Sequence, residues 1–309
     1  MPPLAPGLFQ SAYSARNHAL WVTASAGRPP VITDSRLLRV DPKTLLIEAA
    51  YPLPVTDTAT GAVRAVFGVA VDDEQDTVWT TNTLDDSVSV YRQQTGEHLA
   101  TLPGVEHSRE IVVDAERGTA WASAFGSGTL VAFDARTFEE KQRVTVEGAG
   151  PTGLDVNERT GKLYAADFKG SRIIEVTPGS ATARLLPAGD GPLSVAVSAD
   201  GHTAFTADQT GGTLTVVDLR TGEITKSVPT GEGAKSAAVD RRTGQVLVVN
   251  RLAGTVTAVD PHEGTVVRTV PTGALPNHVE IADGTAYVVD KSGAGPAGED
   301  LITLIDLDD

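Results

Sequence analysis

Apolar and polar residues alternate with a period of two along most of this chain, and turn residues break the alternation at short intervals. The clearest stretch is TVTAVDPHEGTVVRTVPTG at 255–273. It reads as a strand ending in Val-Asp, a Gly-containing turn, a second alternating strand and a Pro-x-Gly exit. A second copy, TLTVVDLRTGEITKSVPTG, occupies 213–231. One such hairpin cannot bury its apolar face alone, so the pattern predicts stacked copies. No heptad or 3.6-residue run stands out, which argues against helices.

The residue that follows the apolar end of the repeated strand serves as a ruler: Asp41, Tyr91, Asp134, Thr177, Asp218, Asp260 and Asp306, spaced 41 to 50 residues apart. Upstream of each lies LWVTA (20–24), VWTTN (78–82), AWASA (120–124), LYAAD (163–167), AFTAD (204–208), LVVN (247–250) or AYVVD (286–290). Their second positions form a column, Trp21, Trp79, Trp121, Tyr164, Phe205, Leu247 and Tyr287, expected to pack repeat on repeat. A third pattern precedes these: FQSAYS (9–14), FGVAVD (67–72), REIVVD (109–114), TGLDVN (152–157), LSVAVS (193–198), KSAAVD (235–240) and NHVEIA (277–282). Its small residues suit a crowded innermost strand. A period of this length is that of a four-stranded propeller blade. The prediction is therefore an all-β, seven-bladed β-propeller of four-stranded antiparallel blades in one domain, with blades near 9–54, 65–104, 107–148, 150–189, 191–231, 233–273 and 275–309. Blade 7 shows three strands before the sequence reaches Asp309, so residues before Phe9 are expected to close the ring as its outer strand. Pro2, Pro3 and Pro6 limit that strand to a short edge.

The chain resembles the YVTN-type seven-bladed propellers, named for a strand motif that VWTTN and VLVVN approximate. The D-x-x-T-G-x-[IV] turn from Asp218 to Ile224 and the P-T-G exits at 229–231 and 271–273 also match. Within that family it is most similar to the YncE group, because AYSARNHALWVTA (12–24), a long loop and RLLRVDPKTL (36–45) are similar to its first blade. The resemblance covers nearly the whole chain. It implies architecture and, as function, a binding or scaffold protein, since these motifs carry no chemistry of their own.

A formal charge of −15 and a pI near 4.8 argue against a broad nucleic-acid or anionic-membrane surface. A nucleic-acid role would need Arg64, Arg109, Lys169, Lys235, Arg251 and Lys291 to form one basic surface. There is no apolar run long enough to span a membrane, and MPPLAPGLFQ lacks the basic start and apolar middle of a signal peptide. The chain as given is thus expected to be soluble: cytoplasmic if native, secreted or periplasmic if a signal was removed. A monomer is expected. The absence of cysteine excludes disulfides, thiolate metal sites, a Cys nucleophile and C-x-x-C-H haem attachment. No G-x-S-x-G, H-E-x-x-H or P-loop occurs, and no cofactor is evident, although room for a divalent cation remains.

Two features point to a site. Insertions at 25–36, 55–65 and 291–300 fall on the D-to-A and B-to-C loops of blades 1, 2 and 7, which become neighbours once the ring closes. Polar residues also interrupt the small residues at the start of the inner strands: His107, Arg109 and Glu110, Asp155, Lys235, and Asn277, His278 and Glu280. The nearby loops add Arg64, Phe125, Phe168, Lys169, Arg251 and Lys291. The expected site is therefore the top mouth of the channel near blades 7, 1 and 2, taking a small molecule or a protein partner, with an anionic or amphiphilic ligand favoured. Arg64, Arg109, Phe125, Phe168, Lys235, Arg251, Asn277 and Lys291 are the expected binding residues, and no residue is assigned to a metal. The alternative is a cofactor-independent or metal-assisted lactonase, lyase or cyclase, in which His107, Glu110, His278 and Glu280 supply acid-base groups. The oxygen donors Glu110, Asp155, Asn277 and Glu280 would suit a hard cation, though their spacing matches no lactonase motif.

Overall fold

The computed structural model describes residues 2–29 and 31–308. Among the described residues there is no helix, and the strands form six four-stranded sheets, one three-stranded sheet and one small two-stranded sheet. The six four-stranded sheets and the three-stranded one are the blades of a seven-bladed β-propeller. Within each blade the chain runs outward through strands A, B and C, and in blades 1 to 6 on to strand D. The A strands are Leu8–Ser14, Val66–Asp72, Ser108–Asp114, Pro151–Val156, Pro192–Val197, Ala234–Val239 and His278–Ala282. Each packs beside the A strand before and after it, and the last packs beside the first, so the ring is closed around a channel.

The apolar core is divided into seven clusters, each an interface between neighbouring blades. The column of large side chains supplies one member to each. Trp79 of blade 2 packs with Ala120 and Phe133 of blade 3. Trp121 packs with Leu154 and Leu163, Tyr164 with Val195 and Val217, and Phe205 with Val246 and Val248. Leu247 takes the same place against Val279 and Ala286, and Tyr287 closes the ring against Leu8 and Leu20. All seven column residues are at most 5% exposed, so the column is packing throughout.

The end of strand B explains the recurring Asn or Asp. Asn82 is buried and its amide donates to Ser87 Oγ and Ser89 Oγ of strand C at 3.0 and 2.9 Å. Asn250 donates to Thr255 and Thr257 in the same way, and Asp208 accepts from Thr213 and Thr215. A buried amide or carboxylate thus meets the hydroxyls facing it across the ladder, as burial of polar groups requires. The Asp218 to Gly222 turn is held by Asp218 Oδ1, which accepts from Thr221 N–H at 2.7 Å, while Gly222 takes the left-handed φ of 78°.

Two expectations change. Blade 7 has strands A, B and C, ending at Ile302–Asp306, and no outer strand among the described residues. The N-terminal segment does close the ring against blade 7, but through backbone bonds to a residue just before strand C: Leu4 N–H donates to Asp300 O, and Asp300 N–H to Ala5 O. The buried carboxylate of Asp300 then accepts Gly7, Leu8 and Gly293 N–H at 2.8 to 2.9 Å. Three donors on one buried acceptor hold the seam where an outer strand was expected. The second change concerns the insertions. Residues 25–36 are mostly ribbon, an extension of strands B and C of blade 1 in which Ser25 pairs with Ser35 and Arg28 with Val31. Residue 30, within this stretch, lies outside the described residues, as does 309 at the end of blade 7.

Candidate functional site

The seven inner strands can be read level by level, because Ala12, Ala70, Val112, Asp155, Ala196, Ala238 and Glu280 each pair with the column residue of their own blade. Three residues earlier in each strand is the top level: Phe9, Phe67, Arg109, Thr152, Leu193, Lys235 and Asn277. At about 3.3 Å per residue, the two levels lie about 10 Å apart along the channel. The channel has a volume of about 410 Å³ and is lined by Arg109, Glu110, Asp155, Lys235, Asn277, His278 and Glu280, among others. That is the size of a small-molecule site.

At the top, cations and rings alternate. Lys291 Nζ lies 3.6 Å from the centre of the Phe9 ring, Phe9 and Phe67 are 4.9 Å apart, and the Arg109 guanidinium sits over Phe67 at 5.1 Å and over Phe125 at 5.5 Å. Lys169 lies over the other side of this group, 4.6 Å from Phe125. Beside Phe9, Arg251 donates to Asn277 Oδ1 at 2.8 Å and to Leu275 O, and Asn277 donates to Phe9 O. Lys291 also donates to Leu8 O at 2.7 Å. Among the described residues none of Arg109, Lys169, Lys235, Arg251 and Lys291 has a carboxylate within ion-pairing distance, and Lys235 has no hydrogen bond. Arg109 Nε is buried and has no partner. Burial, and then the nearby charges of Arg251 and Arg109, push the Lys235 ammonium down to about 8. Burial pushes Lys291 down to about 8 as well. Five cations thus gather at one mouth of a protein whose net charge is −15.

One residue lower, Glu110 accepts a hydrogen bond from Gln10 Nε2 at 2.8 Å. Blades 1 and 3 are therefore bridged across blade 2, where Gly68 leaves space. Burial pushes the Glu110 carboxyl up to about 7 against the opposing pull of Gln10, Lys235 and Arg109.

The lower acids behave differently. The innermost strands have one edge facing the axis, with backbone N–H groups that no strand can pair. Side chains of the preceding blade cap them. Asp155 Oδ2 accepts from Val197 N–H at 2.7 Å and Glu280 Oε1 from Tyr13 N–H at 3.2 Å. Higher up, Gln10 caps Val69, Ser194 caps Ala237, Ser236 caps Val279, and His278 Nδ1 accepts from Ser11 N–H at 3.4 Å. Burial holds Asp155 up at about 6 and Glu280 up at about 7, and it drives His278 down to about 4 with help from Lys235. An unprotonated Nδ1 that accepts from the backbone is consistent with that low value.

The sequence-expected residues therefore separate. Arg109, Lys235, Arg251, Asn277 and Lys291 come together at the mouth, with Phe125 at its edge. Phe168 lies further out, beside Gly191. Arg64 leans outward over blade 2, where its guanidinium reaches Ser87 Oγ and its charge is felt by Tyr91 and His98. His107 occupies a loop at φ 49°, held through its backbone N–H to Asp86 Oδ1 and tilted against the Phe125 ring at 5.6 Å. Of His107, Glu110, His278 and Glu280, the last three line the channel and His107 does not; Glu280 lies two residues below Glu110 and His278, about 7 Å along the strand. Among the described residues no group of three or more His, Cys, Asp or Glu is placed to hold a metal ion. Phe9, Phe67 and Gln10 are site residues that sequence reasoning passed over. Their signal was present, since they occupy the same strand positions as Arg109, Glu110, Lys235 and Asn277. The insertions meet beside the mouth. Residues 55–65 form their own hairpin against strand C of blade 1, while Glu299, Asp34, Arg36 and the N-terminal Leu4 to Pro6 enclose a small cavity of about 190 Å³.

Fold and channel together define a seven-bladed β-propeller with a charged central mouth. The chain is YncE-like: it is 26% identical over 238 residues to the uncharacterized protein YncE of Salmonella typhi and equally to that of Escherichia coli K12. The match covers 72% of this chain and 65% of the length of each relative. No protein-family model matches the chain. A solved structure of Kuenenia stuttgartiensis hydrazine synthase superposes with a TM-score of 0.78 at 15% identity, over 99% of this chain and 97% of that one. That likeness concerns the fold alone.

Proposed function

We propose that the protein is a binding propeller whose top channel mouth takes an organic anion, held between the cations of blades 3, 6 and 7 and the rings of Phe9, Phe67 and Phe125. The observation that carries the reading is the set of cations at the mouth without carboxylate partners, Arg109 and Lys235 above all. Charges removed from water normally find a partner, and cations left free around a cavity of ligand size favour an anion from outside. A binder is preferred to a lactonase, lyase or cyclase because Glu280 and His278 already serve backbone N–H groups and stand at different levels from the loop residue His107.

The test is a titration with inorganic phosphate at low ionic strength, followed by calorimetry, on the native chain and on the double variant Arg109→Gln/Lys235→Gln. Saturable binding that the double variant loses by at least about tenfold is expected, since charge-assisted contacts contribute about 1.5–3 kcal/mol each. Absence of saturable binding, or binding indifferent to the double variant, would sink the reading.

A further inference from the structure

The mouth also indicates how many charges the anion carries. Arg109 and Lys235 line the channel, Lys291 reaches its rim over Phe9 and Arg251 through Asn277, so these four cations surround one opening, and each of the other three bears on the Lys235 charge. Two carboxylates oppose them. Glu110 acts on Lys235 and Arg109, and Asp300 acts on Arg251 and Lys291. Asp300 is 4% exposed, engaged with three backbone N–H groups and absent from the channel lining. Four cations against two carboxylates leave two positive charges in excess, and a third whenever Glu110 holds a proton. Lys169 adds a further, exposed cation at the edge.

We infer that the mouth selects multivalent organic anions of the di- or tricarboxylate class over monocarboxylates, with Lys235 at the centre of the selection. This rests on the anion-binding reading above. A monocarboxylate would leave like charges facing one another in a partly desolvated cavity, where their repulsion is screened less than in water. A di- or tricarboxylate removes that repulsion, and the two guanidiniums of Arg109 and Arg251 offer planar forks matched to carboxylate oxygens. The Gln10–Glu110 bridge forms the floor on the blade 1 to 3 side. The small Ser194 and Ser236, which also line the channel, stand on blades 5 and 6. The groups that face Glu110 are Gln10 from blade 1, Arg109 from its own strand and Lys235 from blade 6. A trianion in this place raises the proton affinity of both Glu110 and Lys235, so binding takes up protons near neutral pH.

The experiment compares butyrate, succinate and propane-1,2,3-tricarboxylate by calorimetry at pH 7 and low salt, in two buffers of different ionisation enthalpy. Affinity is expected to rise at least about fivefold with each added carboxylate, and the tricarboxylate to bind with net proton uptake. Lys235→Gln should weaken the tricarboxylate at least tenfold and butyrate less than threefold, with Lys235→Arg restoring most of the difference; melting temperatures of both variants establish that each is folded. Equal affinity across the three acids, with phosphate still bound, would overturn the valence inference and leave the anion site standing. No binding of any of these anions would overturn both. Binding confined to a short oligothymidylate, with none to the tricarboxylate, would overturn the proposal in favour of a nucleic-acid strand on the same cations.

Discussion

The two ends of the channel are built from the same seven strands and are about 10 Å apart, yet they treat charge in opposite ways. At the lower level Asp155 and Glu280 each hold the backbone N–H of the next blade, so their carboxylates belong to the scaffold. At the top, Lys235 and Arg109 hold nothing with a formal negative charge. The lower groups are used up by folding and the upper ones remain available. A polar residue on an inner strand therefore cannot be read as functional from its position on that strand alone; what matters is whether its hydrogen-bonding groups have been taken.

The largest effect that would test this contrast is on stability at the lower level. Asp155→Ala leaves Val197 N–H and Val156 N–H without their acceptor and should cost about 2–3 kcal/mol, read by denaturant unfolding, with phosphate binding retained per folded molecule. Asp155→Asn keeps an acceptor and should cost well under half of that. If Asp155→Ala proved as stable as the native chain, the division of the channel into scaffold and site would fail.

A second, intermediate effect is on pH. The carboxyls of Glu110, Asp155 and Glu280 are raised by burial to between about 6 and 7. The folded chain then binds more protons than the unfolded one, so stability falls as pH rises from about 4 to 7. His278, lowered to about 4, acts in the opposite direction between its folded value and its ordinary one of about 6.5, but it is one group against three. Lys235 and Lys291, lowered to about 8, bind fewer protons when folded, so above pH 8 stability rises again until about pH 10. Thermal unfolding followed across this range should show a shallow minimum near pH 7 to 8, of the order of 1 kcal/mol per group once solvent screening is allowed for. Glu280→Gln should flatten the acidic limb and Lys235→Gln the basic one. A monotonic profile in the native chain would mean that the channel groups do not govern it.

The smallest effect is expected at His107. Its ring lies outside the channel lining and its left-handed backbone suits Asn. His107→Asn should change stability by less than about 0.5 kcal/mol and phosphate affinity less than threefold. A tenfold loss of affinity would extend the site outward from the mouth to the Phe125 edge and weaken the contrast drawn here.

Much of this protein was legible in its residues. Alternation, spacing and the Val-Asp turns determined seven blades, the order of strands within each and the packing column from Trp21 to Tyr287, because a hairpin with one apolar face has few ways to bury it and a period-two pattern survives no other register. Arg109 and Lys235 were visible as exceptions to the small residues of the inner strands, and Lys169, Arg251 and Lys291 as cations of the adjoining loops. What the sequence could not contain was the pairing of groups far apart along the chain. Whether Glu280 meets Tyr13 N–H, whether Gln10 reaches Glu110 across the ring, and whether Asp300 ties down Gly7 and Leu8 depend on which side chains the closed ring sets beside one another. So does the position of the insertions, of which 291–300 brings Lys291 to the mouth beside the inner-strand residues Arg109 and Lys235. Backbone periodicity is local and writes itself into the chain; the satisfaction of a buried charge is settled only by neighbours that folding supplies.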